Sequence, residues 1–154
     1  MSATLFNAIR NGEAQTVKTL LEENPHWVEE KDPRGSTPLL LATYFGFEEV
    51  TQEILKYPQD LNAQDASGNT ALMGVCFKGY ESIAKILIEQ GADLDIQNFN
   101  GATALIYAAM FGKVSIVKLL LHYGANKAIE DDSGHTALYH AKMRGIKEIM
   151  DLLA

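Results

Sequence analysis

The chain has one cysteine, Cys76, so it can build neither an intramolecular disulfide nor a cysteine-based metal site. It has no excess of basic charge: 13 Lys and Arg against 20 Asp and Glu leave a net charge of −7. Wrapping nucleic acid needs the opposite balance, because cationic side chains must neutralise phosphates. Apolar runs such as Ile86-Leu87-Ile88 and Leu119-Leu120-Leu121 are far shorter than the roughly 20 residues that cross a bilayer. The first residues, MSATLFNAIRNGEAQ, lack the basic segment and apolar stretch of a secretory signal. With Met1 as the start, the expected location is the cytosol. Neither G-x-x-x-x-G-K-[ST] nor G-x-G-x-x-G occurs, so no sequence signal points to a phosphate cradle.

What the chain does have is a period. Thr37-Pro38-Leu39, Thr70-Ala71-Leu72, Thr103-Ala104-Leu105 and Thr136-Ala137-Leu138 follow one another in steps of 33 residues. A glycine precedes each Thr by two places (Gly35, Gly68, Gly101, Gly134), and another follows nine places after it (Gly46, Gly79, Gly112, Gly145). Such a period signals stacked units, each too small to close a core alone. Within one unit, Asp65-Ala66-Ser67-Gly68-Asn69 reads as a turn. Thr70 is the expected N-cap of a first short helix, Gly79 its end, and a second helix starts near Glu81. Leu72, Val75 and Cys76 share one face of the first helix, and Ile83, Ala84, Ile86, Leu87 and Ile88 form a broad apolar side on the second.

The pattern Asp-x-x-Gly-x-Thr-Pro-Leu at this spacing resembles the ankyrin repeat. The resemblance implies an all-α solenoid of helix-turn-helix units joined by short β-turn or hairpin loops. It divides a single domain, 1–154, into five repeats: an N-terminal capping repeat 1–31, internal repeats 32–64, 65–97 and 98–130, and a C-terminal capping repeat 131–154. Two departures matter. The His of the family's T-P-L-H is replaced by Leu40, Met73, Ile106 and Tyr139, so apolar packing is expected there. Pro25 and Pro58 stand where Gly91 and Gly124 end the second helices of later units. Proline cannot take the left-handed conformation, so the first two units should leave that helix differently.

No constellation in the sequence carries catalysis, a cofactor or a metal. His26, His122, His135 and His140 are read as isolated, with His135 and His140 five apart across a turn-to-helix junction. The run Glu130-Asp131-Asp132 beside Ser133 has the charge to attract a cation, but no geometry follows from the sequence. Cys76 is expected to pack as a small hydrophobe.

The resemblance also implies a non-enzymatic function: binding another protein through a concave face, as an inhibitor, an immunity-type protein or a scaffold. That face is expected to receive the two residues at the end of each first helix and the loop tips. The expected partner-binding residues are Arg34, Tyr44, Phe45, Phe77, Lys78, Phe99, Tyr107, Met110, Phe111, His135, Met143 and Arg144, with Leu41, Gly74 and His140 also looking into the groove. Phe45, Phe77 and Phe111 have a competing role, as core shared between units. The alternatives are a small-molecule or enzyme-regulatory site in the groove, or self-association of an otherwise monomeric protein through it. The net charge argues against nucleic acid, and the short apolar runs against a membrane.

Overall fold

The computed structural model describes residues 2–154. It holds ten α-helices in paired order: α1 (Ala3–Arg10) with α2 (Ala14–Glu23), α3 (Pro38–Phe45) with α4 (Glu48–Ile54), α5 (Ala71–Lys78) with α6 (Glu81–Glu89), α7 (Ala104–Met110) with α8 (Val114–His122), and α9 (Ala137–Arg144) with α10 (Lys147–Leu153). A 3-10 helix, Pro25–Glu29, follows α2. The molecule is an all-α repeat solenoid. No strand occurs among the described residues, so the connecting loops are turns without hairpin arms.

Each repeated Thr begins a helix. The hydroxyl oxygens of Thr37, Thr70, Thr103 and Thr136 accept hydrogen bonds from the backbone N–H groups of Leu40, Met73, Ile106 and Tyr139. This satisfies one of the donors left free in the first turn. The odd-numbered helices then stack in a row: α1 on α3, α3 on α5, α5 on α7 and α7 on α9. Small residues on their contact faces, among them Ala42, Ala71, Ala104, Ala108, Ala137 and Ala141, are all buried and let the backbones approach closely. The even-numbered helices form a second layer, with Val17, Leu21, Val50, Ile54, Leu87, Leu120 and Ile149 facing inward. Leu40, Met73 and Ile106 are buried, as expected where the histidine is replaced, whereas Tyr139 on the last unit is exposed.

The turns are tied in register by a second repeating device. In each turn one side-chain oxygen, of Asp32, Asp65, Asn98 or Asp131, accepts from the backbone N–H groups two and four residues on. Between turns, Phe99 N–H donates to Ser67 O and Asp132 N–H to Asn100 O. The Gln64 amide spans from Gly68 O to Gln97 O, and the Gln97 amide repeats this from Gly101 O to Glu130 O.

The exits from the second helices differ as the prolines require. Gly91 and Gly124 turn left-handed, at φ 103° and 93°. They let Ala92 and Ala125 donate back to Leu87 O and Leu120 O. In the first two units side-chain amides donate to carbonyls at the exit instead: Asn24 Nδ2 to Leu20 O, and Gln59 Nε2 to Ile54 O and Tyr57 O.

Cys76 is fully buried on α5. Burial pushes its thiol far above the ordinary range, because the thiolate would lose its hydration. The folded protein should therefore leave a thiol-reactive chromogen unreacted at neutral pH, with one equivalent released on unfolding in guanidinium. Rapid reaction of the native protein would contradict this packing.

Candidate functional site

The C-terminal ends of α3, α5 and α7 lie side by side because their helices start in register. Residues three and four apart on a helix share a face. Leu41, Tyr44 and Phe45 of α3, Gly74 and Phe77 of α5, and Tyr107 of α7 with the adjoining Phe111 line one cleft of about 760 Å³. Met73 and Thr43 contribute to it, and Arg10, Asp32, Arg34, Ser36, Asp65 and Asn69 supply polar groups. Gly74 keeps the cleft open: a Cβ built there meets nothing within 4 Å.

Its aromatic residues form two groups. Tyr44 and Phe45 pack edge to face at 5.8 Å, Phe45 stacks on Phe47, and the Lys78 ammonium lies 4.6 Å from the centre of the Tyr44 ring. The second group joins Phe77 edge-on to Phe111 at 4.7 Å, with Tyr107 beside both. Tyr44, Phe45 and Phe77 remain 49%, 42% and 43% exposed. The two phenylalanines are therefore surface residues, not a core shared between units. Phe111 is half-buried under Phe77.

Hydrogen bonds hold the cleft's polar groups. Arg10 reaches the buried Asp32 carboxylate at 3.2 Å. Asn98 Nδ2 donates to Asn69 Oδ1 at 2.9 Å and to the Tyr107 hydroxyl at 2.8 Å, and that hydroxyl in turn donates to Asn69. Among the described residues no buried side-chain nitrogen or oxygen lacks a partner. The cleft thus presents preformed apolar surface with its buried polar atoms satisfied.

The family model of ankyrin repeats, in three copies, matches residues 5–98 and 76–154. The chain belongs to the ankyrin-repeat family. Ankyrin repeats are generally protein–protein interaction modules and are typically non-enzymatic. No curated protein matches the chain. No helix among the described residues is long and apolar enough to cross a membrane.

Of the residues expected to face a partner of this ankyrin-repeat protein, Arg34, Tyr44, Phe45, Phe77, Tyr107 and Phe111 line the cleft, and so do Leu41 and Gly74. The others sit elsewhere. Met110 is half-buried against the core. Arg144 is engaged at 2.7 Å with the carbonyl of Met110, and Met143 stands exposed at the end of α9. Lys78 acts through Tyr44. Phe99 covers Gly68 and lines a separate cleft with Val28, Thr37, Asn62 and Gln64. Arg10 and Asn69, which also line the cleft, fall in the helix-end and loop-tip slots expected to face it, whereas Asp32 was not expected there; the recurring Asp that opens each turn is the signal that marks it.

The histidines require a correction. His135 and His140 are not isolated. Asp131, His135 and His140 bring one ligand atom each within 4.8 Å of one another. His140 Nε2 lies 2.8 Å from Asp131 Oδ2. Burial opposes ionisation of Asp131, yet its carboxyl lies below the usual range. The His140 hydrogen bond, the backbone N–H groups of His135 and Ser133, and the charge of His140 together outweigh the burial. The sequence spacing hid this cluster because the Asp131 turn folds His135 back, and the first turn of α9 then brings His140 over both.

Proposed function

We propose that residues 1–154 act as one five-unit, non-enzymatic binding domain that captures a partner protein on the face carrying the cleft. The supporting observation is the exposure of Tyr44, Phe45 and Phe77 around preformed apolar space. Aromatic residues and arginine are enriched where protein partners dock, and a few anchors carry most of the affinity. Tyr44, Phe45, Phe77, Tyr107 and Phe111 are the anchors, with Arg34 at the polar edge. The domain works in the cytosol as a monomer and acts by occupying its partner's surface, as an inhibitor, an immunity-type protein or a scaffold subunit.

The test is comparative capture from lysate followed by titration of the purified partner. Tyr44→Ala and Phe77→Ala should each weaken binding by about 30-fold or more, equivalent to roughly 2 kcal/mol. Met143→Ala, at an exposed residue outside the cleft, should bind as the unaltered protein does. Melting temperatures within a few degrees of the unaltered protein would show that the loss lies in contact and not in folding. Equal binding by all three variants would place the partner on another face.

A second reading rests on size. A cleft of about 760 Å³ lies within the roughly 300–1,000 Å³ typical of small-molecule sites. Against it, the fully buried polar atoms among the described residues already have partners within the protein, which leaves the orientation of a small ligand to polar groups at the rim.

A further inference from the structure

In every turn, the Asp or Asn before the glycine spends one side-chain oxygen on two backbone N–H groups. Its second side-chain atom remains available to neighbours. In the last two units it meets the residue four places after the capping Thr, with the residue just before that Thr alongside; Asn98 also reaches Asn69 of the preceding turn. In the third internal unit the set is Asn98, Ala102 and Tyr107, and it closes a hydrogen bond to the tyrosine. In the last unit the same slots hold Asp131, His135 and His140, three side chains that can all ligate a metal.

The geometry suits one shared ion. The imidazole rings of His135 and His140 stand 5.7 Å apart, centre to centre, at 80°. Two imidazoles bound to one ion through bonds of about 2.0–2.1 Å place their ring centres roughly 5–6 Å apart. His140 Nε2 and Asp131 Oδ2 are separated by 2.8 Å; two ligand atoms at the tetrahedral angle about such an ion lie roughly 3.3 Å apart, so this pair opens by about half an ångström on binding. The ion takes the place of the proton between these two atoms. The displaced proton moves to His140 Nδ1 if the ring is neutral, and leaves to solvent if the ring is an imidazolium, so His140 binds as a neutral imidazole protonated at Nδ1. His135 is held flat on the Tyr139 ring at 3.6 Å, so its orientation is already restricted, and a small rotation completes the set. The side chains of His140 and Asp131 are 16% and 12% exposed, which leaves a path for the ion. The neighbouring Glu130 and Asp132 add attraction for a cation.

We propose that Asp131, His135 and His140 bind one divalent transition-metal ion of the zinc class, with a coordination position left open to water. Two nitrogens and one carboxylate oxygen match the borderline preference of Zn2+ and do not suit Mg2+ or Ca2+, which favour oxygen. This site is independent of the aromatic cleft, which contains none of the three residues.

The test is calorimetric titration of the full chain, free of any affinity tag, with ZnCl2, and with CoCl2 followed by visible absorption. The expected result is one equivalent bound, with a cobalt d–d band of a low-symmetry site. His135→Gln should weaken Zn2+ binding at least tenfold while leaving the Asp131–His140 pair in place, with any small change in the metal-free melting temperature attributable to the lost stack on Tyr139. His140→Gln should do the same to binding. A His26→Gln/His122→Gln variant should bind as the unaltered protein does. Zn2+ uptake unchanged in His135→Gln and His140→Gln, or no saturable uptake by the unaltered chain, would overturn the proposal.

Discussion

Gly101→Ala is expected to destabilise the protein by about 3 kcal/mol or more, a loss of roughly 6–12 °C in melting temperature for a chain of this size. Two costs combine. Gly101 has φ 77°, a conformation that charges an L-residue about 1–2 kcal/mol. A Cβ there would also stand 2.6 Å from Asp132 Oδ1 and 2.7 Å from Asp132 N. Backbone cannot swing aside as a side-chain tip can, so the two turns must separate. Separation breaks the Asp132 N–H bond to Asn100 O and strains the Gln97 bridge to Gly101 O and Glu130 O. Gly35→Ala is the control. Its φ is 86°, yet a Cβ meets nothing within 4 Å, so only the conformational cost of about 1 kcal/mol remains. Chemical denaturation of both variants checks the difference; equal losses would mean that the turns are not in tight contact. In a stack each unit leans mainly on its neighbours. Hydrogen exchange in Gly101→Ala should therefore accelerate first in α9 and α10, before α3 to α6.

The second large effect is on binding. Gly74 lies inside α5, where glycine costs about 0.5–1 kcal/mol relative to alanine, and no packed neighbour explains its presence. Gly74→Ala should therefore stabilise the protein by about that amount. Gly74→Leu should fold as well as the unaltered chain, because its side chain enters open space. It should also fill the cleft between Leu41, Tyr44 and Phe77 and abolish partner capture, with a loss of 100-fold or more expected for an occluded central anchor pocket, or about 3 kcal/mol. A Gly74→Leu protein that folds and binds normally would exclude the cleft as the docking site.

Much of the architecture is legible in the chain because it depends on local rules. Thr caps, glycine turns and the apolar spacing of Leu72, Val75 and Cys76 each act within a few residues, and the structure keeps them. The different exits at Pro25 and Pro58 are legible for the same reason. The candidate cleft is legible only in part. The repeat supplies a phase, and residues in that phase, Tyr44, Phe45, Phe77 and Phe111, line one cleft. It does not say how far each side chain is covered. Met110 and Met143 occupy the same slot in adjacent units, yet one packs on the core and the other stands in solvent. What differs is the neighbour: Arg144 of the next unit crosses to the carbonyl of Met110, whereas Met143 is left 69% exposed.

By itself the sequence determined the repeat, the Thr-capped starts of four helices and which faces of the helix pair in 65–97 turn inward. These follow from contacts between residues close in the chain or one period apart. Tertiary structure decided three things that distance along the chain conceals. It left Phe45 and Phe77 at the surface, where either position satisfied the pattern. It opened the space above Gly74, which depends on side chains from three helices. It brought Asp131, His135 and His140 together, because a side-chain-bonded turn reverses the chain just before α9. Burial and convergence are properties of neighbours in space, and a sequence lists neighbours only along the chain.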